Sequence, residues 1–425
     1  MRILVISRNA WDDTNAIGNT MSNFFGGIDN VVFASLYFRS APPNNRLCKR
    51  YYRVSEAEIL KKWFCPEKMG RQFYSENNSY QEAQTGTAKR EQSLIRLIQR
   101  YGLNFAYQIS NSLWYSKKWI NGNLRDFITD FSPDLIFTFV KSTPQYYLAV
   151  RYLRETFNIP LISWIADDEY TGLLKRHSER EIHNLRYILD ESAVVRGCSQ
   201  EICDYYNSVF HCNATTLYKG CDFIAPVKRT VGRPLTMVYA GNLLYGRLEI
   251  IKKLSEALEA SSSGVQNVSF EVYSNTALGP QEQEYFAQKR CTKYMGRKDY
   301  VFIRQRLSEA DIAVFAESFE QEQIEKTRYS FSTKIMDYLS CGSAILAIGP
   351  GEISSMRHMK RVPGVYVIDN LNHFQDQIAE IFSDSFDILG RAEKIRAYAE
   401  QCHDDAATIK NINEMIRIAM VVEDR

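Results

Sequence analysis

Short apolar runs alternate with amphipathic stretches along the whole chain. In the first half the runs lie at 3–7, 31–37, 134–140, 160–165, 192–196 and 215–218. In the second half the same rhythm returns at 235–240, 268–273, 293–295, 312–316, 344–348 and 365–368. Unbroken apolar runs of this length, separated by helical patterns, predict parallel strands covered on both faces. Between the two series lies the Pro/Gly/basic segment 225–234, APVKRTVGRP, a linker by composition. The pattern therefore predicts an α/β protein of two doubly wound domains, 1–224 and 225–402, followed by a helical tail over 403–425. Ligands of such folds sit at the carboxyl ends of the strands, here expected in a cleft between the domains.

Length agrees with that division, since 425 residues exceed what one core serves. Net charge is +2, which gives no case for nucleic acid, but its distribution is uneven. Residues 39–125 hold 16 Lys/Arg and 6 Asp/Glu, a balance of +10; the remainder holds 36 and 44, a balance of −8. The basic stretch, about 39–130, reads as a mostly helical insertion. Its aromatic residues interleave with cations, as in Tyr51, Tyr52, Trp114, Tyr115 and Trp119, a mixture suited either to a solvated hairpin or to peripheral contact with an anionic membrane. No apolar run is long enough to span a bilayer, and MRILVIS reads as a buried strand rather than a signal peptide. The nine cysteines are odd in number with no C-x-x-C pair, which predicts reduced thiols and a cytoplasmic protein. The six histidines have no metal-ligand spacing, and no G-x-G-x-x-G follows the first strand, so no metal and no dinucleotide cofactor is expected.

Candidate chemistry concentrates in the second half. SFSTKIMDYLSCGSAILAIGP, 330–350, reads as a helix start, a short amphipathic helix, a glycine stop and a buried strand. Ser332 or Thr333 is the expected N-cap. Lys334 falls in the first turn, where a cation opposes the helix dipole unless an anion is present. Asp337, one turn further, can accept from a sugar diol. After the strand at 235–240 comes Gly241-Asn242-Leu243-Leu244-Tyr245-Gly246-Arg247, a glycine turn whose arginine can grip a phosphate at a helix start. Each of these features alone also reads as an ordinary turn or helix face.

Together they resemble a known family. TLYKGCDF (216–223), VVRGCSQEICDYYNSVF, YAGNLLYGRLEIIKKL, ADIAVFAESFE and FSTKIMDYLSCGSAILAIG are similar, in order and spacing, to the motifs of the retaining GT-B glycosyltransferases of family four, in the variant with Ser-x-Lys before the motif acid. The resemblance is good over roughly 190–350 and only outlined in the first half. It implies two Rossmann-like domains facing across a cleft, with 403–425 returning to the first. It implies donor binding by Gly241, Asn242, Arg247, Gly296, Arg297, Ser332, Thr333, Lys334 and Asp337, with Arg247 and Lys334 on the diphosphate and Asp337 on the ribose. In the first domain it implies that Asp167 or Asp168 faces the sugar or acceptor and that Gly18 and Asn19 lie on the acceptor side.

The chain departs from the family in three places. Asn242 stands where an arginine is usual, Asp337 replaces glutamate, and Tyr329 occupies the position eight residues earlier where the first motif acid is expected. Glu320 or Glu325 is the candidate for that acid. The expected function is hexosyl transfer from a nucleotide sugar, a UDP-sugar foremost, to a polysaccharide or glycolipid hydroxyl with retention, using no metal. A nucleotide-sugar epimerase on the same fold and a catalytically silent binding module stay open.

Overall fold

The apolar runs become the strands of two sheets, and their burial explains the pattern. The computed structural model describes residues 1–75, 104–223, 225–260, 268–383 and 385–423. The chain forms two units, Met1–Tyr218 with Thr408–Arg425, and Lys219–Ala407.

Unit 1 holds an eight-stranded sheet of β1 (Arg2–Ser7), β2 (Val32–Tyr37), β3 (Cys48–Arg53), β4 (Arg71–Tyr74), β5 (Leu135–Phe139), β6 (Leu161–Ile165), β7 (Val194–Gly197) and β8 (Thr215–Thr216). The order is β4-β3-β2-β1-β5-β6-β7-β8. All neighbours are parallel except β3 and β4. Ile3, Leu4, Val5 and Ile6 are wholly buried, as the central position of β1 requires. The helices Ala16–Phe25 and Pro144–Phe157 follow β1 and β5.

Unit 2 holds β9 (Leu235–Ala240), β10 (Val268–Tyr273), β11 (Thr292–Gly296), β12 (Ile312–Ala316), β13 (Ala344–Ile348) and β14 (Tyr366–Ile368). They are all parallel, in the order β11-β10-β9-β12-β13-β14. This is the 3-2-1-4-5-6 arrangement, and strand order reverses between β9 and β12. The loops leaving β9 and β12 diverge there, opening the crevice in which such sheets bind ligands. The linker is pinned to β12: buried Asp311 receives Lys228 Nζ and the backbone N–H groups of Gly232 and Thr236.

The basic segment corrects its prediction. It contributes two strands, β3 and β4, besides the helices Glu56–Lys61, Asn104–Tyr115 and Gly122–Phe131. Charge hides β3: in CKRYYR, Tyr51 and Tyr52 are fully buried, Arg53 is 6% exposed, and the Arg50 guanidinium lies over the rings of Phe127 and Phe131. Tyrosines favour a pleated, half-buried surface, and the long basic stems cover apolar area. Residues 76–103 of the segment lie outside the described residues. The aromatic side chains also turn inward. Trp114 and Trp119 are buried, edge-on to Phe38 at 5.5 and 5.9 Å, so these rings build the core rather than meet a lipid surface. Among the described residues of this segment Leu60, Phe64, Tyr74 and Ile109 are exposed, Phe64 most of all at 91%. Among the described residues no helix is long and apolar enough to cross a membrane.

Candidate functional site

At the reversal point of unit 2, two loops bring their side chains together. The loop leaving β9 turns through Tyr245 and Gly246 at φ of 58° and 73°, and delivers Arg247 to the start of the helix Arg247–Ala260. Gly246 is required sterically as well, because a Cβ there would lie 2.3 Å from Ser318 Oγ. The loop leaving β12 begins with Glu317, whose backbone N–H donates to Ile348 O. Arg247 Nε and Nη2 each donate to one Glu317 carboxylate oxygen at 2.9 Å, and Nη1 donates to Asn242 Oδ1 at 2.8 Å. Glu317 is buried: burial lifts its carboxyl, and the bidentate guanidinium opposes that rise. Burial pulls the Arg247 guanidinium down, and Glu317 more than offsets it.

Lys334 has no such partner. It opens the seven-residue helix Lys334–Ser340, and among the described residues its ammonium makes no ion pair or hydrogen bond. Burial, then the nearby Arg247 charge, push Lys334 down to about 8. Gly241 makes room for it, since a Cβ at 241 would lie 3.1 Å from Lys334 Nζ and 2.6 Å from Tyr239 Oη. Thr333 sits at the N-cap position in helical conformation, and its side chain makes no capping bond, contrary to the expectation for Ser332 or Thr333. Ser332 N donates to Ser355 Oγ, and the two hydroxyls stand half-buried beside Lys334. A glycine gap, a half-buried ammonium and two hydroxyls at one strand end suit an anion.

Asp337 lies on the same helix. Its Oδ1 accepts from Lys219 Nζ at 2.9 Å and from Tyr300 Oη at 2.9 Å. Gly296 ends β11 at φ of 68° with open space around it, and Arg297 beside it is exposed. Glu320 precedes the helix Gln321–Thr327 and is exposed, as is Glu325; neither reaches Arg247. Glu317 does, and sequence reasoning missed it. Its signal was its place as the first residue after a buried strand. Lys219 and Tyr300 were missed as well: Lys219 stands only within the motif TLYKGCDF (216–223), and nothing in the sequence singles out Tyr300.

Unit 1 gathers a second polar group at the ends of β5 and β6. Lys141 Nζ meets Glu169 Oε1 at 2.9 Å and Asp167 Oδ2 at 3.7 Å, while Ser142 N donates to Glu169 Oε2 at 2.8 Å. Burial raises Glu169, but Lys141 and the Ser142 N–H outweigh it and hold the carboxyl low. Asp167 is 59% exposed. Asp168 serves the chain itself: its Oδ1 accepts from Thr171 N at the start of the helix Tyr170–Lys175 and from Tyr206 Oη. Gly18 is likewise committed, its N–H donating to the N-cap Asn15 and its α-carbon pressed against Asp12 O, where a Cβ would lie 2.0 Å away. The Asn19 side chain is half-buried and makes no hydrogen bond among the described residues. Among the described residues no group of three or more His, Cys, Asp or Glu is placed to hold a metal ion.

No protein-family model matches the sequence. No curated protein matches it either. Solved structures do. The Anabaena protein Alr3699/HepE in complex with UDP is 12% identical, with a TM-score of 0.62 over 98% of this chain and 100% of that one. The α,α-trehalose 6-phosphate synthase of Burkholderia multivorans is 10% identical, with a TM-score of 0.64 over 99% of both chains. The sucrose-phosphate synthase of Thermosynechococcus elongatus is 12% identical, with a TM-score of 0.60 over 99% of both. At such identities the likeness is one of fold: this chain is built on the GT-B plan, from two Rossmann-like doubly wound units.

Proposed function

We propose that this protein is a glycosyltransferase of the family-four type that moves a hexose from a UDP-sugar to a hydroxyl of a glycan or lipid-linked acceptor, with retention. The observation that carries the proposal is the unpartnered Lys334 ammonium beside Gly241, at the point where β9 and β12 diverge. A half-buried cation without a counter-ion is costly unless an anion arrives. The donor diphosphate is that anion. UDP is favoured because the Anabaena neighbour is described in complex with it.

In the reaction the bond between the anomeric carbon and the diphosphate oxygen breaks, and a bond from that carbon to the acceptor oxygen forms. The acceptor proton passes to the departing phosphate on the same face, so no enzymic nucleophile is needed. Charge grows on the leaving diphosphate, and Lys334, the outer N–H groups of Arg247 and the hydroxyls of Ser332 and Thr333 neutralise it. Glu317 and Asn242 fix the guanidinium, so its position is set before the ligand arrives. Asp337 takes the ribose diol, and the turn at Gly296 and Arg297 takes the base. Asp167 and Asn19 are assigned to acceptor or sugar hydroxyls. These side chains supply the positive charge, and the proposal assigns no metal. Contact with an anionic membrane is assigned to exposed Leu60 and Phe64, with Lys61 next to Leu60 in the chain and Lys118 donating to the carbonyl of Trp63; Phe64→Ser should reduce co-sedimentation with phosphatidylglycerol vesicles.

The test is thermal stability with UDP, GDP, ADP and their sugars, followed by turnover of whichever sugar nucleotide binds. A rise in Tm is expected with UDP and UDP-hexoses. No shift with any nucleoside diphosphate overturns the donor site. Arg247 already spends three N–H groups on Glu317 and Asn242, which favours a second reading, a silent module; that reading predicts binding without turnover.

A further inference from the structure

Asp337 is held asymmetrically. Lys219 Nζ and Tyr300 Oη both donate to the same oxygen, Oδ1, each at 2.9 Å, and lie 3.4 Å from one another. Among the described residues Oδ2 accepts no hydrogen bond, although the side chain is only 17% exposed. Lys219 is 8% exposed and pairs with no other carboxylate among the described residues; Asp222, three residues on, is engaged by Arg304 Nη1. Tyr300 is itself placed by the cap of its helix, where Asp299 Oδ1 accepts from Phe302 N at 2.8 Å. Burial and the Asp337 charge raise the Tyr300 hydroxyl, so it stays protonated and can only donate to the carboxylate.

We propose that Lys219 and Tyr300 are positioning residues that hold Asp337 by Oδ1 so that Oδ2 faces a ribose 2′,3′-diol, making this site selective for ribonucleotides over 2′-deoxyribonucleotides. The assignment rests on the donor site proposed above for unit 2. Two consequences of the arrangement support it. Aspartate is one methylene shorter than the glutamate usual at this position, so its carboxylate needs an external anchor to present a fixed edge. Lys219 also cancels the Asp337 charge, which would otherwise repel the diphosphate bound near Lys334. A hydroxyl donating to a fixed, ionised oxygen makes a charge-assisted bond, and its loss leaves that oxygen unsatisfied.

The experiment is calorimetric titration of the full chain with UDP, GDP and ADP, each against its 2′-deoxy counterpart, in the native protein and in Lys219→Met and Tyr300→Phe. The native protein should bind the ribonucleotide about 10–100-fold more tightly than the deoxy form. Both variants should narrow that ratio to within about threefold; the tyrosine variant keeps the charge balance and should leave deoxy affinity near native. Equal binding of both sugars by native protein overturns the selectivity but leaves the donor site standing. Binding of no nucleotide overturns both. Should Lys219→Met fail to fold, Tyr300→Phe decides alone: an unchanged ratio in a variant with native circular dichroism and Tm overturns the positioning role.

Discussion

At the ends of β5 and β6 in unit 1, Lys141 and Glu169 satisfy one another; at the ends of β9 and β12 in unit 2, Lys334 makes no ion pair among the described residues. Both lysines are half-buried, and desolvation pulls both ammonium groups down. The outcome is opposite. Glu169 and Asp167 more than restore Lys141, which ends above the ordinary lysine range, whereas at Lys334 the more distant Glu317 and Asp337 charges do not offset burial and the Arg247 charge, and it stays down at about 8. The same sheet edge is thus closed upon itself in one unit and open to an anion in the other. Burial of a charge does not mark a binding site; burial without a partner does.

The sharpest way to break this contrast is to open a closed pair. Arg247→Ala strands the Glu317 carboxylate in the core and should cost about 3–5 kcal/mol in urea denaturation, while Arg247→Met combined with Glu317→Leu should recover most of it. A stability-neutral Arg247→Ala would mean the pair is not buried as described. Lys334→Met should do the reverse: turnover and nucleotide affinity fall, the rate by about 10²–10³-fold, with Tm unchanged or raised. Lys141→Met should lower Tm, since it leaves Glu169 short of a donor. Similar responses from the two lysines would erase the distinction.

The pH dependence separates them more finely. The folded pKa of Lys334 lies below its unfolded value of 10.5, so the penalty on the native state is present below about 8 and is relieved as pH rises from there towards 10.5. Nucleotide affinity should move the other way, weakening as pH rises through about 8 while the ammonium deprotonates. Binding near that pH should take up protons, read as an enthalpy that varies with the buffer's ionisation heat and is lost in Lys334→Met. The smallest effects distinguish adjacent acids of unit 1. Asp168→Ala should cost about 1 kcal/mol through its lost helix-start bond, and exposed Asp167→Asn within about 0.5 kcal/mol while lowering turnover.

The strands were readable because parallel central strands are apolar on both faces, and nothing distant alters that. β3 was not readable, because Arg50 and Arg53 occupy positions whose burial depends on Phe127, Phe131 and the neighbouring strand β2. The glycine loop 241–247 and Lys334 were legible as local patterns. Glu317 was not, since it is one of four acids in ESFEQEQIE and only its bond to Arg247, 70 residues away, singles it out. Lys219 is farther still from Asp337, by 118 residues. Pairings of this kind are decided by topology, which a linear reading does not contain.

The division of the chain also governs the order in which it can be built. Unit 2 is one continuous stretch, Lys219–Ala407, whereas unit 1 takes its last piece from Thr408 onward. Ile412, Met415 and Ala419 of that piece are buried, and Ile409 closes against Gly27. A ribosome therefore releases the material for unit 2 before it has finished supplying unit 1. Unit 2 can mature during synthesis while the first-made sheet waits for the helix Asp405–Glu423, so a stop codon just ahead of that helix would harm the beginning of the protein more than its middle.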